Sequence, residues 1–465
     1  MQRLLLTLVL ALPLAVSAQS GYWEYDSNFP AAEDRQFSST HGLAVDGEGL
    51  IWVQPFGTVD SVQVAGEYLS SGTVTVFSPD GTEAACSPVR FLSDASGAVT
   101  DTLGIATNAS GNLETQTGRG LRADVNGDVL ITQGNLLFKV DHTSCGAGAA
   151  PNTVRLLAKA QPFSGSMISA GTDNAGNFYI SQVVGQGALG YKILGPDLSD
   201  LGDFGNNRSF NRATLAVDDG GGDGGVAVWD FSYTTLMPSV WYRPDDFSDF
   251  DSLGVTPMGM AIESAAIQPV TDYLWFSAGS PLDAPAPGTP WQINTWYGFA
   301  MEDLFVFDGN GDITATIEMP TPRDSITWNE EASEGRPRAL AFSADGETAY
   351  VGQFNQGAPA TQKFIKLGVA SEGTPEWVAV VDVFQNTPNP VSDRTTIEFT
   401  TREAGTVRIR VFDATGRQVA TVADRAFATG THSVDFDASA LSAGVYIYSV
   451  EVNGFGTSRQ MTVVR

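Results

Sequence analysis

One short pattern recurs along most of this chain, and it leaves few folds open. His41 to Val53, Arg119 to Ile131 and Ile168 to Ile180 each run through small and apolar residues to an acidic turn with glycine, then into a second apolar run. Three near-copies point to a repeat architecture. Weaker copies follow at Ala213 to Asp218 with Val226 to Trp229, at Met258 to Ile262 with Tyr273 to Phe276, and at Arg338 to Val351. Each pair is followed by a third apolar segment: Gly72–Phe77, Leu136–Val140, Gly190–Leu194, Val240–Tyr242, Asp303–Phe307 and Lys363–Leu367. Fourth segments are fainter, the clearest being Thr153–Ala158, Ile313–Ile317 and Trp377–Val381. With 50 Gly and 23 Pro, and no sustained spacing of i, i+3, i+4, i+7, helices are not expected. Six units of four antiparallel strands predict a six-bladed β-propeller over residues 19–381. Uneven spacing leaves open a seventh, degenerate unit near residues 92–118.

The hairpins resemble those of six-bladed propellers of the NHL and senescence-marker-like type, in which an Asp-x-x-Gly turn joins the two innermost strands. That resemblance implies, as an alternative function, a hydrolase or lactonase holding one divalent cation with Glu, Asn and Asp. No such set can be placed here. By position Glu263 is either a ligand of that kind or a solvated turn residue, and the second reading is preferred.

Residues 382–465 form a second domain, a small immunoglobulin-like β-sandwich. Thr395–Thr400, Val407–Asp413, Gln418–Val422, Gly430–Phe436, Leu441–Val452 and Ser458–Val464 alternate as strands. The series Pro388-Asn389-Pro390, Ile-x-Phe, Val-x-Ile-x-Val-Phe-Asp-x-x-Gly-Arg and Leu-x-x-Gly444-Val-Tyr446 closely resembles the type A C-terminal sorting domain of the Bacteroidetes type IX secretion system. The resemblance implies export across the outer membrane, with the secretion machinery as partner and a secreted, extracellular or surface-attached destination. At the other end, Arg3, the apolar run Leu4 to Val16 and the small residues before Gln19 predict a signal peptide over residues 1–18, too short to span a bilayer. No integral membrane segment is expected.

Charge narrows the partners. The chain holds 53 acidic and 25 basic residues, a formal net charge of −28, while residues 384–465 hold eight of each. Nucleic acid and anionic membranes are therefore excluded as partners of the propeller. No cofactor is expected. Acidic loops at Asp197, Asp200 and Asp203 and at Asp245, Asp246, Asp249 and Asp251 leave room for structural calcium, with surface solubility as the plainer explanation. Cys86 and Cys145 each follow a third strand, in neighbouring units of an exported chain, which favours a disulfide between them.

Few residues suggest chemistry. The propeller contains only His41 and His142, which rules out a multi-histidine zinc site, and Gly-x-Ser-x-Gly and P-loop signatures are absent. A binding module is thus expected rather than an enzyme, with a purely structural surface protein as another alternative. In register, the repeats put His41, Arg119, Ile168, Ala213, Met258 and Arg338 at the mouth of the central channel. His41, Arg119 and Arg338 come from adjacent units and suit a carboxylate, sulfate or phosphate group. The alternative is pairing with acids such as Glu330, Glu331 or Glu334. The long insertion Ser280 to Tyr297 carries Trp291, Trp296 and Tyr297, either as platforms for an extracellular glycan or as a lid packed over the blade.

Overall fold

The computed structural model describes residues 22–57, 60–108, 110–184, 190–205, 211–220, 224–232, 238–244, 249–329, 335–367, 381–401, 404–413, 418–452 and 455–465. The expected signal peptide, Trp377–Val380, Asp245, Asp246 and the acids Glu330, Glu331 and Glu334 lie outside these residues. The chain divides into two compact units at residues 369 and 370. Both are built almost wholly of β-strands.

Six main sheets follow one another in the first unit. Sheet one holds Thr40–Val45, Ile51–Pro55 and Thr75–Phe77; sheet two begins with Gly118–Ala123, Val129–Gln133, Leu136–Asp141 and Thr153–Ala160. Sheet three is Gly171–Thr172, Phe178–Ile180, Tyr191–Leu194 and Asp200–Phe204, and sheet four is Asn211–Asp218, Val226–Ser232, Ser239–Arg243 and Asp251–Val255. Sheet five pairs Ala265–Ile267, Leu274–Ser277, Thr295–Phe299 and Asp324–Thr327; sheet six pairs Arg336–Phe342, Thr348–Phe354 and Thr361–Leu367. The fourth strand of sheet six is Tyr22–Asn28, from the start of the described chain, in antiparallel register from Tyr22 opposite Leu367 to Asn28 opposite Gln362.

The hairpins form where the sequence repeats because a buried carboxylate organises each turn. Asp46 accepts from Glu48 N at 3.0 Å, Leu50 N at 2.9 Å and Trp52 Nε1 at 2.7 Å. Asp124 accepts from Asn126 N and Asp128 N, and Lys139 closes on its other oxygen at 2.7 Å. Asp173 is held likewise by Asn177 N and the Tyr179 hydroxyl, both at 2.8 Å. Each carboxylate thus ties its turn to a residue on the following strands, which satisfies donors that burial would otherwise strand.

The first strands of sheets three, four, five, six, one and two pack side by side in that order, and the first strand of sheet two meets the segment just before sheet three through Arg122 and Ser169. The approach is close enough to demand glycine: a Cβ on Gly42 would lie 2.7 Å from Leu121 N, between sheets one and two, and one on Gly171 would lie 2.6 Å from Ala216 N, between sheets three and four. No sheet closes on itself among the described residues. Fully buried Trp52, Trp229, Trp275 and Trp296 fill the space between sheets.

Several strand expectations need correction. Residues 92–118 are divided: Phe91–Ser93 joins Thr153–Ala160 in parallel and Val99–Thr102 adds beyond it, making sheet two six-stranded, while Ile105–Thr107 and Leu113–Thr115 pair as a separate two-stranded hairpin and not as a four-stranded unit. The first strand of sheet five is Ala265–Ile267, not Met258–Ile262. Its turn, Gln268 to Tyr273, uses the Gln268 side chain to accept from Thr271 N in place of an aspartate, which hid the repeat. The third strand of sheet five is Thr295–Phe299, and Phe305–Phe307 instead forms a separate hairpin with Ile313–Thr316.

The second unit is a sandwich of a three-stranded sheet, Val381–Val383, Arg394–Thr401 and Gly430–Asp437, and a four-stranded one, Gln418–Phe427, Gly405–Asp413, Gly444–Val452 and Phe455–Val463. Ile397, Phe399, Val407, Ile409, Val411, Tyr448 and Met461 fill its core. Within the Pro388-Asn389-Pro390 segment, Asn389 Oδ1 accepts from Thr462 N at 2.8 Å. Just beyond it, Val391 N donates to Thr462 O at 2.8 Å, so the segment anchors the last strand. Gly444 opens its strand, and the Tyr446 hydroxyl donates to Ser442 O at 3.1 Å.

Candidate functional site

The three basic or potentially basic residues expected at the mouth converge. His41 begins sheet one, Arg119 sheet two, and Arg338 lies in the first strand of sheet six. The His41 ring lies 5.5 Å from Phe56 and 5.3 Å from Phe354, and these two phenylalanines meet edge to face at 4.9 Å. Arg119 stands over Phe56 at 5.1 Å and Arg338 over Phe354 at 5.7 Å, within cation–π range. Burial, then the charges of Arg338 and Arg119, push the His41 pKa well below that of a free imidazole. It is therefore neutral at pH 7.

Arg338 and Arg119 differ in their partners. Arg338 is buried, its Nη2 lies 3.2 Å from Glu263 Oε2, and its Nη1 donates to Arg212 O at 2.9 Å. Arg119 is only partly buried and has no acidic partner among the described residues, and its Nε has no hydrogen-bond partner. Burial and the neighbouring Arg338 together lower the Arg119 pKa to about 10.

Glu263 corrects a second expectation. It is fully buried, with 0% of its surface exposed, and is not a solvated turn residue. Its Oε1 lies 2.8 Å from Arg212 Nη1 and 3.7 Å from Arg336 Nη1. Asp283, from the insertion loop, reaches Arg212 at 3.2 Å and Arg336 at 3.0 Å. Three guanidinium groups thus share two carboxylates. Counting back from the Gln268 turn puts Glu263 at the position held by His41 and Arg338 in their units. Met258 does not occupy it: its carbonyl accepts from Trp291 Nε1.

The glycan-platform reading of the aromatic residues is overturned. Trp296 is 0% exposed, Trp291 6% and Tyr297 9%. Trp296 and Tyr297 belong to the third strand of sheet five and pack into the core, while Trp291 lies against Tyr297 and Phe299. No flat face is left for a sugar ring.

The acidic loop of Asp197, Asp200 and Asp203 is engaged by the protein itself. Asp197 accepts from Ser199 N and Oγ, and Asp200 and Asp203 flank Lys192 at 3.0 and 3.5 Å. Asp128, Asp141 and His142 offer ligand atoms within 4.8 Å of one another. Here His142 Nδ1 lies 2.9 Å from Asp128, Lys139 lies 3.9 Å from Asp128, and Arg155 closes on Asp141. Cys86 and Cys145 are joined as a disulfide with Cα atoms 4.9 Å apart, in the core between sheets one and two.

Residues 387–464 match the secretion system C-terminal sorting domain family. No curated protein sequence matches the chain. Solved structures with similar chain courses include PorZ, a surface component of the type IX secretion system of Porphyromonas gingivalis, at 13% identity and a TM-score of 0.36, covering 92% of this chain. This chain spans 60% of PorZ. A fungal alcohol oxidase in complex with copper aligns at 13% identity and a TM-score of 0.40, over 96% of this chain and all of that one. The WD40 repeats of RRP9 align at 10% identity and a TM-score of 0.37, over 74% of this chain and all of theirs. The tail is a type IX secretion sorting domain, and its cargo is exported to the cell surface or the extracellular space. No helix among the described residues is long and apolar enough to cross a membrane.

Proposed function

We propose that the first unit is a six-bladed propeller that the sorting domain delivers outside the cell, where it acts as a non-catalytic module binding an anionic ligand such as an acidic glycan. Propeller closure is supported by the run of packed first strands from sheet three round to sheet two, by the contacts of Arg122 and Ser169 that bridge the remaining step, and by Tyr22–Asn28 completing sheet six, the two ends of the unit meeting in one blade. Binding is carried by one observation: Arg119, at the mouth, is a partly accessible guanidinium with no carboxylate partner among the described residues, in a domain rich in carboxylates. Nearby Phe56 and the neutral His41 ring add an apolar wall and a hydrogen-bonding group. Arg338 contributes its field, its own contacts being made with Glu263.

Calorimetric titration of the exported protein with uronic-acid, sulfated and neutral oligosaccharides tests this reading. An acidic member binds, and Arg119→Ala weakens it about tenfold or more, the loss of one charge-assisted contact. Equal binding by Arg119→Ala, or no preference for acidic members, overturns it. For delivery, a chain ending at Val380 is retained in the periplasm, and normal release of that chain would contradict the role of the tail.

A further inference from the structure

Below the mouth lies a second feature, which does not depend on Arg119. A cavity of about 20 Å³ is lined by His41, Arg122, Ser169, Ser264 and Arg338, with main chain and apolar side chains from the first strands of sheets one, two, five and six and from the segment before sheet three. Among the described residues no acidic side chain lines it. Its volume suits a single water-sized particle.

Arg122 is the unusual member. Its Nε donates to Ala170 O at 3.1 Å and its Nη2 to Ala265 O at 3.2 Å, so it spans from sheet two to sheets three and five. Both partners are neutral carbonyls, and no carboxylate pairs with it among the described residues. Burial alone pulls its pKa down to about 10. Arg122 is half-buried, and a cation partly withdrawn from water without a counter-charge is costly. Across the cavity, His41 is more than nine-tenths buried and its Nδ1 has no hydrogen-bond partner. A neutral imidazole protonated at Nδ1 donates a hydrogen bond there.

We propose that this cavity is a site for one small monovalent anion, with chloride as the fitting size, bound by Arg122 and the His41 ring, with the Ser169 and Ser264 hydroxyl groups and Arg338 completing the wall. The anion supplies the negative charge that Arg122 lacks. It is held by the packed first strands and so stabilises the whole unit rather than turning over as a substrate.

Thermal melts of the full exported chain test this, with sodium chloride replacing sodium gluconate at a constant ionic strength of about 0.5 M. Chloride and bromide raise Tm by about 2–5 °C, the shift expected for a ligand bound only by the folded state at concentrations well above its Kd. Sulfate at matched ionic strength gives no such rise. Arg122→Met abolishes the halide response, whereas Arg119→Ala, which removes the mouth cation, retains it. Should Arg122→Met fail to fold, crystals of the unaltered protein in bromide decide the matter through an anomalous peak inside the cavity. Equal melting in chloride and gluconate overturns the proposal, and a bromide peak without a Tm response marks an adventitious ion only and overturns it too. An undiminished response in Arg122→Met places the ion elsewhere. Failure of halide binding leaves the oligosaccharide result at Arg119 untouched, and the converse holds.

Discussion

At the turn end of the hairpins one task is performed repeatedly, by Asp46, Asp124, Asp173 and, with other side chains, by Gln268 and Ser343: a side-chain acceptor gathers amides of a tight turn. At the opposite end the equivalent positions hold His41, Arg119, Ile168, Ala213, Glu263 and Arg338, and no such common task appears. Turn acceptors act within their own sheet, on amides two to five residues away. The residues at the other end act across sheets, as when Glu263 meets Arg212 and Arg338 from two others. A repeated residue marks what every sheet needs; a position where the repeat is broken by charge marks what the assembled sheets do once.

The largest effect that probes this contrast is at Glu263. Replacing it by Ala leaves Arg212, Arg336 and Arg338 around a single remaining carboxylate, and should cost about 3–5 kcal/mol in chemical denaturation. A loss near zero would mean that the mouth cluster is a surface network and the contrast is empty. Trp291→Ala comes next, at about 3 kcal/mol for removal of a core aromatic, with oligosaccharide binding per folded molecule unchanged. Lost binding at full stability would restore the platform reading that its burial excludes.

At the turn end, Asp46→Ala removes the acceptor for two amides and Trp52 Nε1, for an expected loss of about 1–3 kcal/mol accompanied by a change in tryptophan fluorescence. The same substitution at Asp46 should leave ligand binding intact, which separates architecture from site. The smallest effect is one of pH. Because the folded-state pKa of His41 lies below its unfolded value, its contribution is present above about pH 6.5 and is lost as pH falls from there toward the folded value. Melting temperature should therefore drop more steeply between pH 7 and pH 5 in the unaltered protein than in His41→Gln. Parallel curves would show that the ring titrates freely in the fold.

Local chemistry made much of this protein legible from its sequence alone. The hairpins, the turn aspartates, the alternating strands of the sorting sandwich and the positions of His41, Arg119 and Arg338 all follow from interactions spanning a few residues, which the order of side chains records directly. Sheet five was misjudged where that local record changes, since Gln268 replaces the usual aspartate and the insertion of Ser280 to Asn294 displaces the third strand. Only tertiary structure decided that Tyr22–Asn28 completes sheet six, that Phe91–Thr102 widens sheet two, that Asp283 closes on Arg212 and Arg336, and that Arg122 reaches from sheet two to the carbonyl of Ala265 in sheet five. Those contacts join residues tens to hundreds of positions apart, and the free energy that selects them comes from burying charges and aromatic rings together, a quantity that exists only once the sheets have assembled.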